Sequence, residues 1–239
     1  MKYLKPRVVF AAITPMLLTL LASGPPPEGV ETQLYVGTGS FEYQSGGCGS
    51  PTYANRAVDG HGFASTSYRH ETGATAVVEV GGGVAKTTSS RLLSTETDPS
   101  VPPTDVDEVG KTRGMVNVAA RVGFHHSYFG LELGPAYNTD LGFFPSGEVW
   151  VGVPRYVFAY VDVASGPVSL GHLPVGAGLG HASDRVRAKL GLGLEQKIVA
   201  EGAYKVSKDV PLFIGGRLVQ SFDPDLAGTL GGLSFAYGW

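Results

Sequence analysis

The run Val-Arg-Ala-Lys-Leu-Gly-Leu-Gly-Leu-Glu-Gln-Lys-Ile-Val-Ala-Glu-Gly-Ala-Tyr-Lys-Val, residues 186–206, decides the fold. Its even positions carry Val186, Ala188, Leu190, Leu192, Leu194, Ile198, Ala200, Tyr204 and Val206. Its odd positions carry Arg187, Lys189, Gly191, Gly193, Glu195, Lys197, Glu201 and Lys205, with Val199 and Ala203 as exceptions. A period of two is the signature of a β-strand with one apolar face. Because the phase never slips, the run reads as one strand of about twenty residues, against ~5–6 in an ordinary globular sheet.

The same alternation extends along the chain. Leu233, Phe235, Tyr237 and Trp239 share one face of the last segment, with Ser234, Ala236 and Gly238 opposite. In 211–222, Leu212, Ile214 and Leu218 oppose Gly215, Arg217 and Ser221. Val149, Val151, Val153, Val157, Ala159, Val161 and Val163 share one parity, opposed by Trp150, Gly152, Tyr156, Phe158, Tyr160 and Asp162. Both faces are bulky there, which leaves the inward face open. Two further runs, Val116 to Phe124 and Phe129 to Tyr137, are joined at His125–Ser127, tight enough for a hairpin. Ala74, Ala76, Val78 and Val80 alternate with Thr75 and Glu79.

A soluble sandwich alternates too, but it turns a Lys/Glu-rich face to water. Here the face opposite the apolar one is mostly Gly, Ala and Ser, with an isolated charge per strand: Glu79, Arg121, Glu132, Glu195 and Arg217. That composition suits the interior of a closed barrel, where small residues leave room and opposite charges pair across the lumen, while the apolar face meets lipid.

Composition agrees. Glycine supplies 35 of the 239 residues, about twice its usual ~7% share, and glycine inside a helix costs about 1 kcal/mol relative to alanine. Hydrophobic residues make up 43% and charged ones 16%, which excludes a disordered chain. The net charge of −3, without a Lys/Arg cluster interleaved with aromatics, leaves no field for nucleic acid. The single cysteine, Cys48, has no internal partner and reads as a small residue in a Gly/Ser loop.

At the amino end, Lys2, Lys5 and Arg7 precede an uncharged apolar run, Val8 to Ala22, followed by Ser23 and Gly24. This is the anatomy of a secretory signal over residues 1–24, and the run is shorter than the ~20 residues of a spanning helix. The domain reading is therefore a signal segment, 1–24, and a barrel over 25–239, or over 73–239 alone.

Signal segment, alternating strands to the last residue and a terminal aromatic together resemble a small, single-chain Gram-negative outer-membrane β-barrel protein of the OmpA/OmpX-like class. The resemblance implies that Leu233, Phe235, Tyr237 and Trp239 form the signal read by the barrel-assembly machinery. It also implies short inner turns and longer outer loops. Short connections fall at Glu71–Gly73, His125–Ser127, Ser165–Pro167 and Ser207–Asp209. Longer ones fall at Ser45–Gly60, Thr95–Lys111, Asn138–Gly147, His181–Asp184 and Asp223–Gly228. The expected architecture is an all-β, closed antiparallel transmembrane barrel of ten strands, or of eight if the two before Gly73 are excluded.

Three groups of residues bear on chemistry. His181-x-Ser183 with Glu195 resembles the spacing in outer-membrane lipid A deacylases, in which serine attacks an ester and histidine takes its proton; here Asp184 stands where that family has Asn. Asp59-x-His61, with Asp105-x-Asp107 or Asp223-x-Asp225, resembles the Asp-His and Asp-Asp pairs of the omptins, in reversed order. The acidic stretch Glu96, Asp98, Asp105, Asp107 and Glu108 holds oxygen ligands of the kind Ca²⁺ takes, but without a twelve-residue ligand loop. It reads as a solvated loop.

The functional expectation is an integral outer-membrane barrel with a structural or surface-interaction role and without catalysis, cofactor or metal. Its partners are outer-membrane lipid, the assembly machinery, and an envelope protein or extracellular ligand at the long loops, with no nucleic acid. The alternatives are an outer-membrane hydrolase and a small pore.

Overall fold

The computed structural model describes residues 29–45, 52–94, 109–163, 175–193, 196–223 and 226–238. The described residues form twelve strands: β1 (Gly29–Ser45), β2 (Thr52–Arg69), β3 (Ala74–Ser94), β4 (Thr112–His125), β5 (Phe129–Asn138) and β6 (Gly142–Val153), then β7 (Val157–Val163), β8 (Val175–Ala182), β9 (Val186–Gly193), β10 (Lys197–Lys205), β11 (Leu212–Asp223) and β12 (Leu226–Gly238). Each pairs antiparallel with its sequence neighbours, and β1 pairs with β12 to close the barrel. Closure matters because lipid offers no hydrogen bonds to an open sheet edge. The signal segment lies outside the described residues.

The strand count corrects the sequence reading of ten or eight. β1 and β2 belong to the sheet, and the runs 149–163 and 186–206 are each a hairpin. Val153 pairs with Val157, and Gly193 with Lys197. Partners across an antiparallel pair project to the same face, so a connection of three residues preserves parity. An unbroken phase therefore cannot distinguish a hairpin from one long strand. Gln196, at φ 53°, supplies the left-handed turn residue that tightens the second hairpin. Parity flips where the number of intervening residues is even, as between His125 and Gly130 and between Ala182 and Arg187.

The first added turn also reverses the rim of the connections that follow it, and the second restores it. β8 ends and β9 begins at the rim that carries the start of β1, Gly29, and the end of β12, Gly238, so His181–Asp184 lies at the inner rim, not in an outer loop. β7 ends and β8 begins at the outer rim, and Ser165–Pro167 lies outside the described residues. The remaining long connections are trimmed by strand: β2 already begins at Thr52 and β6 at Gly142.

The register resolves the bulky segment as well. Trp150, Phe158 and Tyr160 are buried inside, while Val149, Val151, Val157 and Val161 are exposed outside. Around the outer surface, exposed Tyr68, Phe124, Phe129, Tyr156, Tyr204 and Tyr237 ring the inner rim. Exposed Tyr137, Phe143 and Phe222 mark the outer one. Between them lie Val78, Val122, Leu133, Leu179, Leu190 and Leu218. Aromatic girdles flanking an aliphatic band match the profile of a lipid layer. The wall is uneven: β1, β2 and β3 run 17, 18 and 21 residues, whereas β7, β8 and β9 run 7, 8 and 8.

Candidate functional site: the bridged lumen

The strand phases direct charged side chains inward, and the lumen brings them into pairs. Arg121 on β4 donates two hydrogen bonds to Glu79 on β3, Nη1 to Oε2 at 2.9 Å and Nη2 to Oε1 at 2.5 Å. Arg121 Nη1 also donates to Ser146 Oγ at 3.1 Å, and its Nε lies 3.6 Å from Glu132 Oε2. Glu132 in turn meets His125 Nε2 at 3.1 Å. Across β10 and β11, Arg217 Nε stands 3.1 Å from Glu201 Oε1. Charges removed from water are tolerated where each finds a well-oriented partner, and a two-pronged Arg–carboxylate pair is the strongest such arrangement.

Two pairs span strands that are not neighbours. Arg187 on β9 reaches Glu31 on β1 through bonds of 2.6 and 2.5 Å, with β10, β11 and β12 lying between. Its guanidinium carbon sits 4.0 Å above the ring centre of Phe213 on β11. Ala203 and Ala236 flank that ring and leave it room to lie against the wall. Lys189 on β9 donates to Glu148 Oε2 on β6 at 2.6 Å, and its Nζ lies 4.5 Å from the ring centre of Tyr160 on β7.

Aromatic rings complete the filling. Trp150, Phe158 and Tyr160 form a buried cluster, with centroids 5.9 and 6.3 Å apart along the series. Facing glycines make this possible: a Cβ at Gly130 would strike the Trp150 indole, one at Gly180 the Phe158 ring, and one at Gly191 the Tyr160 hydroxyl. The inner part of the lumen is thus occupied by side chains held by charge and by stacking.

Higher on the wall, Asp59 and His61 of β2 face inward. His61 Nδ1 lies 2.6 Å from Asp59 Oδ2, and His61 Nε2 lies 3.3 Å from the Tyr35 hydroxyl. A carboxylate that orients an imidazole toward a hydroxyl is a hydrolytic geometry in outline. The hydroxyl here belongs to a buried phenol packed against Gly37 and Gly232, and all three side chains are under a tenth exposed. Of the residues that would form the second omptin-like pair, Asp105, Asp107 and Asp225 lie outside the described residues, and Asp223 ends β11.

Of the deacylase-like group, the described members His181 and Ser183 bond to backbone groups and not to each other. His181 points outward from β8, and its Nδ1 bonds the Tyr156 carbonyl at 2.9 Å. Ser183 turns its hydroxyl onto the Val186 backbone at 3.1 Å. Glu195 lies outside the described residues, as do Trp239 and the acidic stretch from Glu96 to Glu108. Glu79, Arg121, Glu132 and Arg217 face the lumen, while Leu233, Phe235 and Tyr237 face outward from β12. Among the described residues no three His, Cys, Asp or Glu side chains converge as metal ligands.

Sequence reading did not single out Glu31, Glu148, Arg187 and Lys189 as lumen charges. Strand parity was the available signal: Glu31 shares its face with Tyr35, opposite Leu34 and Val36, and Glu148 shares its face with Trp150, opposite Val149 and Val151.

No protein-family model matches the chain, and no curated protein matches it. Among solved structures it is similar to the translocator domain of autotransporter NalP from Neisseria meningitidis, with TM-score 0.58 and 10% identity over 90% of each chain. A triple mutant of Rhodopseudomonas blastica porin is matched at TM-score 0.33 and 9% identity, covering 87% of this chain and 100% of that one. At such identity the likeness concerns the fold: a closed antiparallel barrel of the outer-membrane kind. The closed barrel, with its aliphatic outer band between aromatic girdles, points to the outer membrane.

Proposed function

We propose that the protein is an integral outer-membrane barrel with a structural or surface-interaction role, whose lumen is not an open channel and which carries out no catalysis. The observation that carries this reading is the pair of ion bridges, Glu31–Arg187 and Glu148–Lys189, that cross the lumen between non-adjacent strands. Twelve strands enclose a wider interior than an OmpA/OmpX-type barrel of eight. Rings and paired charges occupy the inner part of that wider interior. Surface interaction falls to the outer rim, where β1, β2 and β3 run longest.

Planar-bilayer recording tests the reading. The wild-type protein is expected to leave the bilayer silent, and the double variant Glu31→Ala/Arg187→Ala, which removes both charges together, is expected to admit ion current. Steady wild-type conductance on the scale of a porin would overturn the reading in favour of a pore. The hydrolase alternative rests on the Asp59–His61 hydrogen bond; ester or peptide hydrolysis by purified protein that disappears in His61→Ala would establish it.

A further inference from the structure

Four glycines on β2, β3 and β4 point away from the lumen: Gly60, Gly62, Gly82 and Gly114. The register gathers them, since Gly62 faces Gly82 while Gly60 and Gly114 both face Val84 from opposite sides. Together with Val36 and Val116 they line a depression of about 630 Å³ in the lipid-facing wall. The residues between them on each strand, His61, Gly83 and Met115, form its floor.

Three of these glycines answer no need of the fold. None of the four has a positive φ. A Cβ at Gly60 would meet nothing within 4 Å, at Gly114 its nearest atom would lie at 4.0 Å, and at Gly62 at 3.7 Å. Only Gly82 is tight, 2.9 Å from the Met115 carbonyl. Glycine weakens a strand and buries no apolar surface, so at three of these positions its sole product is open volume on the membrane side.

Cations stand directly outward of that volume. Lys86 follows Val84 by two residues on the same face, Arg56 lies beyond Gly60 on β2, and Arg91 lies further out on β3; all three are exposed. The described acidic neighbour on this face is Glu42, which pairs in register with Arg56. Depression and cations lie in the outer half of the wall, near the level of the Tyr137, Phe143 and Phe222 girdle and beyond it.

We infer that the depression seats an acyl chain of a phosphate-bearing lipid of the outer leaflet, whose headgroup is held by Lys86, Arg56 and Arg91. The apolar hollow takes the chain, and flexible cations just above it reach the phosphate at the interface. A second copy of the chain fits less well: a two-fold axis along the membrane normal would set Lys86 and Arg91 against their own like charges. The inference rests on the outer-membrane reading and goes beyond it.

The test is native mass spectrometry of detergent-solubilised barrel incubated with bisphosphorylated, hexa-acylated lipid A or with phosphatidylethanolamine. Lipid A is expected to be retained in preference. Gly60→Leu/Gly62→Leu fills the hollow, Lys86→Ala/Arg91→Ala removes two cations, and each is expected to lower retention at least tenfold while heat-modifiable gel migration persists. The second pair of substitutions is on the surface and tests the headgroup arm if the first fails to fold. Wild-type retention unchanged in both variants, equal retention of the two lipids, or a dimer that the leucine variant dissociates would each overturn the inference. Loss of heat-modifiable migration in the wild type would instead remove the barrel reading beneath it.

Discussion

The lumen face around β5 to β9 and the lipid face of β2 to β4 are both rich in glycine, and in the two places glycine does opposite things. Inside, the missing side chain is replaced by a neighbour's: Gly130 by the Trp150 indole, Gly180 by the Phe158 ring, Gly191 by the Tyr160 hydroxyl. Outside, Gly60, Gly62 and Gly114 have no such tenant. A glycine in a strand thus either makes room for a partner or leaves room, and only its cross-strand surroundings distinguish the two. The inner part of the lumen is filled by rings and paired charges, since a buried void or unpaired charge is costly there, whereas a hollow facing lipid can be filled by lipid.

The sharpest way to break the packed side is to remove an occupant. Arg187→Ala leaves the Glu31 carboxylate buried without its two-pronged partner and strips the cation from the Phe213 ring. A loss of about 3–5 kcal/mol is expected, as for other buried pairs cut on one side. Urea unfolding of the barrel in lipid vesicles measures it. Removing Glu31 as well should restore part of the stability, since no lone charge then remains; a double variant less stable than the single one would show that the bridge is not the source of the cost.

Overfilling is the next largest effect. Gly130→Ala sets a methyl group against the Trp150 indole, which is itself held between His125 and Phe158 with ring centroids 5.6 and 5.9 Å away. The ring cannot retreat without displacing its neighbours, so a cost of about 1–3 kcal/mol is expected. The same unfolding assay reads it, and fluorescence of Trp150 should shift as the indole environment loosens. An unperturbed midpoint would show that the lumen is less tightly packed than the inner glycines imply.

How much of this was legible in the sequence follows from the geometry of pairing. The class of fold was legible, because Val186 to Val206 alternates without a slip and Leu233 to Tyr237 repeats the pattern. The number of strands was not, because three-residue connections at 154–156 and 194–196 return the chain with its parity intact. Lumen charges on clean strands, such as Glu79 and Arg121, declared themselves by phase. Glu148 did not, since Trp150, Phe158 and Tyr160 made the inner face as bulky as the outer, and the glycines that accept those rings lie on other strands. Bridges such as Glu31 to Arg187 join residues far apart in sequence and across three intervening strands, which local periodicity cannot register.

The smallest effect discriminates best between the two kinds of glycine. Gly60→Ala adds a methyl group where a Cβ would meet nothing within 4 Å, on a residue without positive φ. It restricts the unfolded chain and strains nothing in the folded one, so a gain of about 0.4–1 kcal/mol is expected. Gly82→Ala, one strand away on the same face, is the internal control: its Cβ would approach the Met115 carbonyl to 2.9 Å, and the backbone of β4 would have to give way. There the entropic gain should be cancelled or reversed. If the two substitutions shift the unfolding midpoint equally, the hollow has no steric meaning and the contrast between inner and outer glycines fails. If Gly60→Ala stabilises and Gly82→Ala does not, the open volume at Gly60 costs the fold stability, and a ligand that fills it has something to restore.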